Sequence, residues 1–301
     1  MVQVKKQVAV ATITPKKKPL VKKSSESLLS RAQPVSLVDS GGIKVSLYGR
    51  GKTGKTRLIS TFPKPIIIIG GEDGTRSIRS VKGIDFVPVI IDGSKNPPKD
   101  GKFIYLNEME DFIEEIRSSN NYATAAVDTA SSLSDIFLAN ILGLAEIPAQ
   151  KSWGMATRED YGMLGLQMKT VLRKILQLPI NVVITAHERN FSDDGESDLI
   201  FPSVGSALSP AVAGWLDGAV EYICQTFIRE EIRIEEVKIG KGATEKVETK
   251  TGKSEYCLRI GPHPVYKTGF RLPPGYDLPD IIQPNFESIM SVINGKYVDR
   301  S

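Results

Sequence analysis

The chain has 301 residues, 41% of them hydrophobic and 25% charged, an ordinary balance for a globular protein and enough length for a full α/β core. No stretch approaches the ~18 consecutive apolar residues of a membrane-crossing helix, so a membrane role is set aside and a cytoplasmic place is expected (host cytoplasm if the chain is viral). Cys224 and Cys257 make neither a disulfide framework nor a zinc spacing and are expected as reduced core thiols, and two histidines are too few for a metal centre.

The net charge of +4 is unevenly spread. Residues 1–42 hold eight basic groups against Glu26 and Asp39, or +6, which leaves −2 for the rest of the chain. This segment has no hydrophobic periodicity and is rich in Lys, Ser, Pro and Val, so it is expected to be a disordered basic tail. A solubilising arm, an arm that touches nucleic-acid phosphates and a targeting segment all fit that composition. The remaining 43–301 are expected as one domain.

Ile43 to Tyr48 alternates like a strand, and Gly49-Arg50-Gly51-Lys52-Thr53-Gly54-Lys55-Thr56 follows, matching G-x-x-x-x-G-K-[ST] at every position. Thr56 to Ser60 then opens a helix, giving the strand–loop–helix setting that a phosphate-binding loop requires. The glycines let successive backbone N–H groups turn toward phosphate oxygens. In this reading Lys55, a solvent-facing loop residue, reaches the β- and γ-phosphates, and the Thr56 hydroxyl ligates Mg²⁺.

Ile66 to Ile69 are four β-branched residues in a row, as in a parallel strand buried on both faces. Glu72 follows at the strand's end, where a carboxylate can deprotonate an attacking water; the adjacent Asp73 competes for that role. Residues 84–91 read as an edge-like strand, because Pro88 cannot donate to a ladder. Asn107 to Ser118 is an amphipathic helix with Met109, Phe112, Ile113 and Ile116 on one face. Tyr122 to Asp128 reads as a strand that ends in a carboxylate. Asp128 is either the second Mg²⁺ group or the cap of the helix expected over Ser131 to Leu144.

A polar, aromatic stretch (Ala149 to Tyr161) leads into a long helix that Pro179 stops near Leu178. Asn181 to Ala186 is another buried strand, closed by His187, a candidate group for sensing the γ-phosphate. Strands alternating with helices at this spacing indicate a parallel sheet with helices on both faces. From about Trp215 the texture changes. Ala219 to Ile228, Glu230 to Ile239 and Ser254 to Ile260 alternate like three antiparallel strands, an extension of about 219–272 that continues the sheet, and Phe286 to Asn294 reads as a closing helix.

The phosphate loop, the strand before Glu72, the hydrophobic run ending in Asp128-Thr129 and the strand Val182 to Glu188 occur in the order of the RecA-like P-loop NTPase core, which this chain resembles over roughly residues 43–290. Thr185-Ala186-His187-Glu188, the segment around Tyr161 and the stretch Leu208 to Asp217 are similar to the phage RecA-like ATPases that assist single-strand annealing and recombination. His187 stands where RecA itself has a polar amide.

The resemblance implies ATP and Mg²⁺ as cofactors, ATP hydrolysis, a homo-oligomer on single-stranded DNA and a single-strand-binding protein as partner. It places DNA against Gln150 to Arg158 and Glu188 to Ser206, the first combining Lys151, Trp153 and Arg158. It also implies that Lys267 and Arg271 complete a neighbour's site in trans. Two other classes share these motifs: an ATPase that loads or remodels a protein such as a replicative helicase, and a nucleotide-gated scaffold with little turnover.

Overall fold

The computed structural model describes residues 41–71, 74–146, 156–191, 203–239, 243–272 and 278–295. The expectations for the basic tail, for Glu72 and Asp73, and for Lys151 and Trp153 therefore lie outside the described residues. The described residues belong to the compact unit Ser40–Ser301.

Among the described residues, seven strands run parallel. They are β1 (Lys44–Gly49), β2 (Ile66–Gly70), β3 (Ile84–Ile90), β4 (Ile104–Tyr105), β5 (Thr124–Val127), β6 (Asn181–Asn190) and β8 (Tyr222–Ile239), with β7 (Val204–Ser206) between the last two in sequence. Their spatial order is β8-β1-β6-β5-β2-β3-β4. Strand β6 thus separates the strand that enters the phosphate loop from the strand that carries Asp128. The antiparallel part lies on the β8 side: β9 (Ala243–Arg259) pairs with β8, β11 (Ile281–Ile282) pairs with β9, and β10 (Gly269–Phe270) pairs with β8. This is the RecA-like α/β fold with its C-terminal antiparallel extension.

The β-branched run of β2 shows why the sheet is covered on both faces. Ile67 and Ile69 join a core with helices α2 (Met109–Ser119), α3 (Ala130–Ile141), α4 (Arg158–Leu176) and α5 (Pro210–Ala219). Ile66 and Ile68 point the other way, into a core with α1 (Lys55–Ile59) and α6 (Phe286–Ile293). A period of two in side-chain direction makes an uninterrupted apolar strand fit only between two such layers. The N-terminus of α4 carries a capping box, with the Thr157 hydroxyl accepting from Asp160 N–H and the Asp160 carboxylate accepting from Thr157 N–H at 2.7 Å. Among the described residues no helix is long and apolar enough to cross a membrane.

Three local expectations need correction. Strand β3 is not the sheet edge, because the two residues of β4 pair outside it; Pro88 sits opposite Gly70 at the very end of the β2–β3 pairing, where the missing donor matters least. The two strands expected over Ala219 to Ile239 are a single strand that starts at Tyr222, with an irregularity at Glu230/Ile232 taking up the break in alternation. Its first residues pair in parallel with β1, so the antiparallel extension begins only with β9; Ala219, expected as the extension's first residue, is instead the last residue of helix α5, which has a proline in its first turn. Cys224 and Cys257 are both buried and unpaired, and burial pushes the Cys257 thiol up to about 11.

Candidate nucleotide site at the sheet edge

All parallel strands that carry candidate residues end at one edge. In register, Gly49 of β1 lies between His187 of β6 and Thr226 of β8, and Asp128 follows Val127 at the end of β5. The loop Gly49 to Thr56 is held by its own backbone. The Thr53 hydroxyl donates to Arg50 C=O at 2.8 Å and meets the Thr226 hydroxyl at 2.7 Å. Gly49 is required here, because a Cβ would come within 2.3 Å of Thr226 Oγ1. Gly54, at φ 93°, takes the left-handed turn that starts α1, a conformation that favours glycine.

Lys55 is not solvent-facing, contrary to the expectation from its polarity. It is the first residue of α1 and only 7% exposed, and its Nζ donates to Gly49 C=O and Arg50 C=O, each at 2.8 Å. The charge is therefore held inside the loop's own ring of carbonyls. A cation there is well placed to turn toward phosphate oxygens that enter the same ring.

Asp128 lies on the β5 side. Thr56 Oγ1 donates to Asp128 Oδ2 and Thr185 Oγ1 donates to Asp128 Oδ1, both at 2.6 Å. The carboxylate is buried, and it is not the helix cap: Thr129 caps α3, accepting from Ser132 N–H. A buried carboxylate fixed through both oxygens by neutral hydroxyls has no cation of its own among these partners. Together with Thr56 it offers hard oxygen donors of the kind Mg²⁺ takes. A Cβ on Gly74 would sit 3.5 Å from both Thr56 Oγ1 and Asp128 Oδ2, so the absence of a side chain there keeps that corner open. These residues fit a Mg²⁺–nucleotide.

His187 reaches the same edge, half-buried, with its backbone N–H donating to Ser131 Oγ at 3.0 Å. Lys267 and Arg271 are engaged within their own chain. Lys267 Nζ is 2.6 Å from Asp217 Oδ2, whose carboxyl burial raises and Lys267 lowers, the net being upward. Arg271 Nη2 donates to Gly218 C=O at 2.7 Å. Both are therefore anchored at the end of α5.

Several residues of the site carry no motif. Thr185 stands in the sequence as a hydroxyl in an apolar buried strand and within the Thr185-Ala186-His187-Glu188 resemblance, but nothing there marks it as a partner of Asp128. On the β8 side, Arg50 Nε meets Glu188 Oε1 at 3.0 Å, Gln225 Nε2 donates to Glu188 Oε2 at 2.7 Å, and Arg259 Nη1 donates to Gln225 Oε1 at 2.5 Å. The Arg259 guanidinium lies 4.4 Å from the Phe227 ring centre and 4.2 Å from that of Tyr266. These groups line a cavity of about 410 Å³ beside Gly51. A second cleft, about 200 Å³, lies between the loop and the C-terminal segment and is lined by Gly54, Arg57, Tyr256, Gln283 and Pro284. The Tyr256 ring lies over Gly54, 3.3 Å from where a Cβ would stand.

A phosphate loop whose strand neighbours a hydroxyl-bearing strand, with the magnesium-type carboxylate one strand further on, defines a P-loop nucleotide-binding protein with a RecA-like core. The chain belongs to the AAA_24 family, described as AAA domain, whose profile matches residues 41–267. It is thus a member of an ATPase family, for which a nucleotide is the implied ligand. Among curated proteins none matches the sequence. Among solved structures, the flagellar accessory protein FlaH from Methanocaldococcus jannaschii is similar at 11% identity, over 80% of this chain and 84% of that one, with a TM-score of 0.35.

Proposed function

We propose that this protein is a Mg²⁺-dependent ATPase that works as a homo-oligomer on single-stranded DNA and assists strand annealing or recombination. The observation that carries the ATPase part is the Asp128 carboxylate, buried, held by Thr56 and Thr185, and set against an intact phosphate loop. Thr56 and Asp128 would hold Mg²⁺, which supplies charge neutralisation at the phosphates. Lys55 and the loop amides bind the phosphates, Glu72 takes the proton of the attacking water and His187 senses the terminal phosphate. The cleft under Tyr256 takes the nucleobase, against a ring already packed on the loop.

The DNA part has support from the resemblance, from the +6 tail, and from a pair at the end of β6, where exposed Arg189 lies 5.6 Å from the ring centre of half-buried Phe191. Arginine beside an aromatic ring suits phosphate contact with base stacking. A protein-remodelling role is the second reading. It has support from α4, whose Met163 and Leu166 are 50% and 70% exposed.

The test is the ATPase rate of the full-length chain with and without single-stranded DNA, with electron microscopy of the same samples. DNA-stimulated turnover and oligomers on DNA support the proposal. Turnover that ignores DNA favours the second reading, and tight ATP binding without turnover favours a nucleotide-gated scaffold. For action in trans by Lys267 and Arg271, mixing Arg271→Ala with Lys55→Ala protein is expected to restore part of the activity that each lacks. A protein that stays monomeric with ATP and DNA would rule that out.

A further inference from the structure

The polar chain on the β8 side stands apart from the Thr56–Asp128 pair, yet it is ordered through four elements, with the Glu188 side chain and Gln225 at its middle shielded from solvent. Glu188 has a side chain only 8% exposed, but it reaches out to Arg50, whose side chain is 80% exposed in the phosphate loop itself. Burying a carboxylate is costly unless it is paired and hydrogen-bonded. Here the pairing is divided: one oxygen takes Arg50, the other takes the amide of Gln225, which is itself 2% exposed and held from behind by Arg259. Arg259 in turn is clamped between two aromatic rings and lies 3.7 Å from Asp280 Oδ1. A stack of this kind fixes the Glu188 carboxylate in one place and so fixes the Nε end of Arg50. The contact uses Nε alone among the described contacts of Arg50, and a guanidinium carries five N–H donors. Its two terminal nitrogens are therefore left to an anion at the loop.

We propose that Glu188 is a positioning residue that aims Arg50 at the terminal phosphate of the bound nucleotide, with Gln225 and Arg259 as its brace. The proposal rests on the ATPase reading and adds β8 and β9 to the machinery that senses the nucleotide. A long exposed arginine loses much of its freedom when it finds a phosphate; one already held at Nε loses less, which is the gain from pre-organisation. The same contact makes discrimination of ATP from ADP depend on Glu188, a residue that would not itself touch nucleotide.

The experiment uses the full-length chain with Glu188→Gln, Glu188→Ala, Arg50→Ala and the double variant Arg50→Ala/Glu188→Ala. Two quantities are read: steady-state kcat and KM for Mg²⁺–ATP, and equilibrium binding of a fluorescent ATP analogue and of ADP. Misplacement of a catalytic-site group by about 1 Å is worth on the order of 10²-fold. Glu188→Ala is thus expected to lower kcat roughly 10- to 100-fold while changing ADP affinity by less than about two-fold. Glu188→Gln keeps the shape and one hydrogen-bonding oxygen, and is expected to lie between wild type and Glu188→Ala.

The double variant should be no worse than Arg50→Ala, since the two residues act as one unit. A merely structural Glu188 would lower ATP and ADP binding together and would add its full effect to Arg50→Ala; either result overturns the proposal. Should Glu188→Ala fail to fold, Glu188→Gln alone decides, through the ratio of ATP to ADP affinity. If the wild type binds ATP tightly without turning it over, the hydrolysis reading fails separately. The positioning claim then stands on a reduced ATP-over-ADP preference in Glu188→Gln and falls if that preference is unchanged.

Discussion

Two polar networks flank the same phosphate loop and differ in kind. On the β5–β6 side, short hydrogen bonds from two threonine hydroxyls fix the buried carboxylate of Asp128. On the β8–β9 side, ion pairs, an amide and cation–π contacts run from exposed Arg50 to half-buried Arg259. Among the described contacts the first network sets neutral donors around an anion, an arrangement that suits a cation. The second already balances its charges, so it is suited to orienting groups and to registering a change at Arg50. In the proposed reading, chemistry and its control are divided between the two sides of one glycine-rich loop.

The largest effect is expected from the proposed general base. Glu72→Gln should lower kcat by the ~10²–10⁴-fold typical of a lost general base while ATP affinity is kept. If Asp73→Asn gives that phenotype and Glu72→Gln does not, the base is the neighbouring carboxylate. Both are to be read in single-turnover assays.

Lys55→Ala comes next. Loss of a charge-stabilising donor is worth about 10²–10³-fold in turnover. Because Lys55 is buried and bonded to Gly49 and Arg50 carbonyls, the variant should also melt at a lower temperature than wild type. An unchanged melting temperature in calorimetry would mean that these internal bonds contribute nothing to the loop. The Glu188 variants should fall below these in effect, and a Glu188 variant as damaging as Lys55→Ala would erase the division between catalytic and positioning groups.

Most of the first network is legible in the sequence, while the links of the second are not, for physical reasons. Backbone curvature around a phosphate forces glycines at fixed spacing, so the loop announces itself in one short segment. Asp128 stands out because a carboxylate at the end of an apolar strand is unusual. Sequence leaves it open between metal group and helix cap, and only the contact of Thr129 with Ser132 N–H resolves the cap. Glu188, Gln225 and Arg259 come from three strands and meet only through sheet order, which no spacing encodes. The single long strand β8 is likewise hidden, since the irregularity at Glu230/Ile232 breaks the alternation that would join its halves. The reading of Lys55 as solvent-facing fails because polarity suggests exposure, whereas the loop's inward carbonyls bury the amine.

A smaller effect is expected at the base cleft. Tyr256→Ala should raise KM for ATP about 5-fold, in line with the ~1 kcal/mol lower end for aromatic stacking on a base, and leave kcat nearly unchanged. A change in kcat without a change in KM would remove Tyr256 from base binding.

The smallest is expected at the capping box of α4, whose residues make none of the contacts of either network. The Thr157 N–H and hydroxyl hold the Asp160 carboxyl below its ordinary 3.8. A depressed folded-state value contributes stability that is present above 3.8 and lost as pH falls through the lower folded value. Asp160→Asn should remove that acid-side loss, so its stability should change less with pH below 3.8 than wild type, with turnover unaffected. An identical acid limb in urea titrations would show that the capping box does not act through this charge.

The central claim is that Thr56 and Asp128 form the metal-dependent half of a working nucleotide site. The most direct measurement is a Mg²⁺ titration of ATP-analogue binding to full-length wild type and Asp128→Asn, followed by turnover in the same samples. Mg²⁺-dependent tightening and hydrolysis are expected in wild type, and loss of both in a folded Asp128→Asn protein. Equal Mg²⁺ dependence in the two proteins would contradict the claim.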